Sequence, residues 1–133
     1  MKAVLLTAAL IALASPVLAS GDAAEGEEDF KKCKSCHTIA NGDDVIVKGG
    51  KTGPNLFGVV GRAAASEEGF KYGASLMAAG EAGLVWDEEN LVTYLADPTA
   101  FLKEETGDSG AKSKMTFKLK DGEDVAAYLA SLQ

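Results

Sequence analysis

Apolar residues recur at helical spacing in a few short stretches of this chain, and between them lie long segments with no period. The clearest stretch is the last, where Val125, Tyr128, Leu129 and Leu132 make one apolar stripe behind Asp121, which is placed to cap a helix. Leu91, Tyr94 and Leu95 predict another helix from Glu88 to about Ala96, with Asp87 as its cap and Asp97-Pro98 ending it. A third starts at Asp22, with Glu25 following in a capping-box arrangement, and runs to about Lys32. Gly26 and Phe30 share a face of this helix, so the last helix can approach closely at Gly26 and pack on the ring. Shorter helices are predicted over Ala74 to Ala79 and Thr99 to Glu105, while Thr116 to Leu119 alternates like an isolated strand.

From Thr38 to Gly61 and from Thr106 to Lys114 the chain is rich in turn formers and has no sustained pattern. No internal repeat, Rossmann glycine pattern or P-loop is present. The pattern predicts an all-α single domain of about five helices. Its loops are long for its size, which is easier to understand if they wrap around a cofactor.

The N-terminal stretch does not belong to that pattern. Met1-Lys2 supplies a positive charge, Ala3 to Ala14 is an apolar run, and Ser15-Pro16-Val17-Leu18-Ala19 offers small residues to a signal peptidase. Residues 1–20 are expected to be a secretory signal, cleaved after Ala19 or Ser20. The apolar run is short of the ~20 residues that a membrane span needs, so no stable membrane insertion is expected. Residues 21–133 remain, 133 − 20 = 113 residues, the size of one domain. Without Lys2 they carry 12 basic against 20 acidic side chains, 12 − 20 = −8. That leaves no basic excess to neutralise nucleic-acid phosphates.

Candidate chemistry is concentrated in Cys33-Lys34-Ser35-Cys36-His37, which holds both cysteines and the only histidine. Two thiols three apart on a helical turn face the same side. Both can then add to the vinyl groups along one edge of a porphyrin, and the next residue can swing its imidazole under the iron. A redox dithiol is normally set in a βαβ pattern, which is missing, and a closed zinc site would need a fourth ligand of a less usual kind. The five residues are therefore read as covalent attachment of one haem c, with His37 as an axial ligand.

Thr52-Gly53-Pro54-Asn55-Leu56 stands out in the first long loop. Pro54 holds a carbonyl in a fixed direction, suited to accept the second N–H of a ligating histidine, although Gly-Pro-Asn by itself is equally a plain turn. The remaining axial position separates an electron carrier from a catalyst or gas sensor. Met77 sits in an apolar helical piece where methionine is most simply a gap filler. Met115 follows a polar loop among Lys112, Lys114 and Lys118, with no evident core to fill, and is the better candidate. A neutral sulfur with a neutral nitrogen favours the ferrous state and raises the potential.

Cys33-Lys34-Ser35-Cys36-His37, Thr52-Gly53-Pro54-Asn55-Leu56, Gly58-Val59-Val60-Gly61-Arg62, Gly69-Phe70-Lys71-Tyr72, Trp86, Tyr94-Leu95-x-x-Pro98 and Lys114-Met115-x-Phe117 together resemble a class I c-type cytochrome. The likeness is greatest to the soluble periplasmic cytochrome c2 of photosynthetic proteobacteria and their denitrifying relatives, and it covers nearly all of residues 21–133. It implies the cytochrome c fold, thioethers from Cys33 and Cys36, axial ligands His37 and Met115, and a Pro54 carbonyl that accepts from His37. It also implies that Arg62, Tyr72 and Trp86 surround the haem propionates and that the Tyr94 hydroxyl approaches the axial sulfur. On spacing alone Tyr94 is a core aromatic, and a core role stays open for Tyr72 and Trp86. Ser113 stands where the family often has threonine. The stretches 41–50 and 99–112 are longer than in mitochondrial members, as in the larger bacterial ones, and the net charge is negative where some relatives are strongly basic.

The implied function is that of a monomeric periplasmic one-electron carrier, and not an enzyme. It would shuttle from a cytochrome bc1-type complex to a photosynthetic reaction centre or a terminal oxidase or reductase. A haem enzyme or gas sensor with an open sixth site is the alternative if Met115 is not bound. Lysines 34, 48, 51, 71, 103, 112, 114 and 118 fall in segments expected near the haem edge, while acids gather at 22–29, 67–68, 87–89 and 121–124. That asymmetry predicts docking to acidic partners through the lysine face.

Overall fold

A computed structural model describes residues 21–133, and the predicted signal at 1–20 lies outside them. Helix α1 (Ala23–Asp29) starts at Asp22, whose carboxylate accepts from the backbone N–H groups of Ala24 and Glu25. The Asp22 N–H donates to Asp124 Oδ1 at 2.8 Å. The start of α1 is thus completed by a side chain from the far end of the chain, in place of the predicted reciprocal contact with Glu25. One tighter 3₁₀ turn, Phe30–Lys32, carries the chain into the cysteine motif.

Helix α5 (Glu123–Ala130) crosses α1 at Gly26. A Cβ on Gly26 would lie 1.9 Å from the Asp124 carbonyl oxygen, so the two backbones meet with no room for a side chain. The ring of Phe30 packs on Tyr128 beside this crossing, with centroids 5.8 Å apart. Asp121, the predicted cap of α5, instead adopts a left-handed conformation at φ +61°, and Gly122 takes the cap position without a side-chain bond. Gly122 lies against α3 (Glu88–Ala96), where a Cβ would come to 3.0 Å from Leu95 Cδ1, a tight approach.

Helix α3 has its predicted bounds, and Asp87 and Asn90 close a capping box at its start. Asp97 ends it and caps α4 (Pro98–Thr106), with Pro98 in the first turn where its missing N–H costs nothing. Helix α2 (Ala74–Glu81) packs on α4, and α3 packs on both α4 and α5. Trp86, Tyr94 and Phe101 form the aromatic centre of this side, with centroids separated by 5.0, 5.8 and 5.6 Å.

The predicted five helices are present. One element was not predicted, an antiparallel hairpin of β1 (Ile39–Asn41) and β2 (Asp44–Val47). Conversely, Thr116 to Leu119 forms no strand; the Leu119 N–H donates to the Leu95 carbonyl at 2.7 Å and satisfies an end of α3. Among the described residues no helix is long and apolar enough to cross a membrane.

Candidate functional site

The 3₁₀ turn after α1 passes into a further turn in which the N–H groups of Cys36 and His37 both donate to the Cys33 carbonyl, at 3.1 and 2.9 Å. Helical winding brings Cys36 and His37 round to Cys33. The following loop is strapped onto this turn: Gly50 N–H donates to the Lys34 carbonyl at 2.9 Å and Gly53 N–H to the Cys36 carbonyl at 2.8 Å. Thr38 Oγ1 donates to the Gly49 carbonyl at 2.9 Å.

These straps deliver Pro54 to the imidazole. His37 Nδ1–H donates to the Pro54 carbonyl at 2.8 Å, which fixes the tautomer and leaves Nε2 with a free lone pair. His37 is only 8 % exposed, and burial lowers its proton affinity against the opposing pull of the Pro54 contact and the Glu67 charge. The neutral ring is the form that can bind a metal. Gly53 lies flat against that ring, and a Cβ there would stand 2.4 Å from His37 Cε1.

Cys33, Cys36, His37, Pro54, Tyr72, Trp86, Tyr94 and Met115 all line one cavity of ≈ 400 Å³, with apolar neighbours that include Phe30, Leu56, Leu76 and Leu91. Burial pushes the Cys33 thiol up to about 11. A dithiol oxidoreductase needs the opposite shift.

Met115 is held by its own loop. Its N–H donates to Ser113 Oγ at 3.0 Å, and the Ser113 N–H donates to Thr99 Oγ1 at 3.1 Å. The Tyr94 hydroxyl meets Ser113 Oγ at 3.4 Å, two residues before Met115. Burial in this corner raises the Tyr94 phenol above its usual range, so it stays protonated. Met77 is 46 % exposed on α2 and does not fill a core gap; its neighbour Leu76 takes the position facing the cavity.

Tyr72 lines the cavity. The Tyr72 oxygen accepts from the Glu67 N–H at 2.9 Å, which leaves its own proton available to donate. Arg62 does not line the cavity; it sits behind the loop, with its terminal nitrogens donating to Phe57 and Asn55 carbonyls at 3.3 and 3.1 Å. Its Nε is buried and has no partner. Gly53 and Glu67 join the site as residues whose parts the sequence did not disclose, while the Ser113 hydroxyl, for which the resemblance left a role open, holds the Met115 backbone. Gly53 lies inside a motif whose visible signal is its proline.

No protein-family model matches the chain. Individual proteins do. Cytochrome c-551 of Roseobacter denitrificans is 59% identical over 121 residues, covering 90% of this chain and 86% of that protein. Cytochrome c2 of Rhodobacter capsulatus is 57% identical over 128 residues, covering 95% and 93%. The X-ray structure of ferric cytochrome c-550 from Paracoccus versutus superposes with a TM-score of 0.82 at 56% identity, over 85% of this chain and 98% of that one.

The chain belongs to the cytochrome c2 family. As a cytochrome c2 it is an electron-transfer protein and binds one covalent haem c. The residues present fit that group. The cavity is apolar, both thiols and an unprotonated imidazole nitrogen reach it, and the spare Tyr72 proton at its wall is a donor of the kind that buried propionates require.

Proposed function

We propose that this cytochrome c2 is a periplasmic carrier that takes single electrons from a cytochrome bc1-type complex and delivers them to a photosynthetic reaction centre or a terminal oxidase or reductase. The observation that carries the reading is one cavity that collects Cys33, Cys36, a Pro54-oriented His37 and Met115. Cys33 and Cys36 would hold the porphyrin through thioethers, and His37 Nε2 and the Met115 sulfur would bind its iron. Bound in this way, the haem supplies a one-electron ferric–ferrous couple.

The protein's part is to keep that couple closed and to orient it. Pro54 locks the imidazole, and Ser113 anchors the Met115 backbone beside Tyr94. The apolar lining excludes water, so little has to rearrange when the charge changes. Arg62, Tyr72 and Trp86 are the groups assigned to the propionate side. Export by residues 1–20 places the carrier in the periplasm, where it works as a monomer.

Docking uses the lysines around the cavity mouth. Lys71, Lys112 and Lys114 line it and are exposed, whereas Lys118 is already paired with Asp97 at 3.1 Å. Reduction of the holoprotein by a purified bc1-type complex, followed by stopped flow across a salt series, tests the shuttle. The rate should fall steeply as salt rises. A rate that is independent of salt would refute the docking face, and no reduction at all would refute the donor.

A further inference from the structure

Behind the hydrogen bond that orients His37 lies a second one. The Pro54–Asn55 peptide is engaged at both polar ends: its carbonyl accepts from His37 Nδ1 at 2.8 Å, and its N–H donates to Glu67 Oε2 at 2.9 Å. A peptide group is one conjugated unit. An anion that accepts from its N–H pushes electron density toward its carbonyl oxygen, and hydrogen bonds in such a chain reinforce one another. The carbonyl becomes a stronger acceptor, and the imidazole that donates to it becomes richer in electrons.

The surroundings hold this chain still. Asn55 grips Ala40 from both sides, accepting from its N–H at 3.0 Å and donating to its carbonyl at 2.8 Å. The Asn55 carbonyl accepts from Arg62 at 3.1 Å. Glu67 is fixed at its own backbone, where its N–H donates to the Tyr72 hydroxyl at 2.9 Å. Glu67 is partly buried, whereas Glu68, next along the chain, is exposed. Of these two adjacent acids only Glu67 is built into the network.

We propose that Glu67 is a positioning residue of the redox centre: acting through the Pro54–Asn55 peptide, it strengthens the hydrogen bond to His37 and holds the reduction potential down. More electron density on an axial nitrogen favours the ferric state, which sets Glu67 against the ferrous preference of the Met115 sulfur. The inference rests on the ligand assignment proposed above, and it adds a carboxylate that touches neither iron nor porphyrin.

Glu67→Gln keeps an acceptor of the same length and removes the charge. The midpoint potential and the proton resonance of His37 Nδ1–H are measured on ferrous holoprotein for the wild type, Glu67→Gln and Glu68→Gln. The first variant should favour the reduced form by about two- to tenfold, or ~18 to ~59 mV for one electron, and move the Nδ1 proton upfield as its bond weakens. Glu68→Gln should move neither. If Glu67→Gln does not assemble, Glu67→Asp keeps the charge but falls a methylene short of Asn55, and the upfield shift is expected there too. A Glu67→Gln potential no different from that of Glu68→Gln would overturn the proposal. So would a changed potential with an unmoved His37 proton, since the charge would then act through space. A purified wild-type protein that shows no haem spectrum would overturn the functional reading as well.

Discussion

Replacing Gly26 by alanine separates two effects of opposite sign. In an isolated helix the change stabilises by about 1 kcal/mol, because alanine loses less backbone entropy than glycine. In this protein the new Cβ would stand 1.9 Å from the Asp124 carbonyl oxygen and 2.8 Å from Tyr128 Cβ. Ordinary contact begins near 3.4 Å, so α5 must retreat by 3.4 − 1.9 = 1.5 Å at the crossing. That retreat loosens Phe30 from Tyr128 and pulls Asp124 from the Asp22 N–H. Overpacking of this kind costs ~3 kcal/mol, and the exposed hydrogen bond adds ~0.5. Set against the helix gain of ~1, the net destabilisation is ~2.5 kcal/mol, or a Tm lower by ~10 °C in a domain of this size. Denaturant and thermal unfolding of the holoprotein, followed by circular dichroism, measure it. An unchanged or raised Tm would show that the helices do not meet at Gly26 as described.

Gly53→Ala should strike the cofactor site directly, since its Cβ would fall 2.4 to 2.8 Å from three atoms of the His37 ring. The imidazole must tilt away from Pro54, and holoprotein unfolding monitored at the haem absorption band should show a loss of ~1 to ~3 kcal/mol; a wild-type midpoint would refute the contact. Ala65→Gly should act in the other direction, because Ala65 sits at φ +57°. Relief of the left-handed strain outweighs the added freedom of the unfolded chain, for a gain of ~0.5 kcal/mol in the same assay.

What could be read from the sequence was what is local. Asp87 and Asn90 cap the start of α3 three residues apart and Asp97-Pro98 ends it, so its bounds followed from pattern alone. The start of α1 was legible at Asp22, but the contact that completes it was not, because Asp22 and Asp124 meet across 102 positions; the cap of α5 falls at Gly122, against Leu95, and not at Asp121. The hairpin left no alternating trace: Ile39 is fully buried, but Asp44, Val45 and Ile46 of β2 are all exposed. In the site, rare residue types showed themselves: the one histidine, the two cysteines, and Met115 as one of two methionines in residues 21–133. Glu67 gave no hint, since it is one acid among many and acts through a backbone N–H that no side-chain pattern reports.

Carbon monoxide added to ferrous holoprotein tests the central claim most directly, that His37 and Met115 together close the iron. The account predicts no binding on the mixing time scale in the wild type and rapid binding in Met115→Ala, where the sixth position opens. Rapid binding by the wild type, or a Met115→Ala variant as inert as its parent, would contradict it.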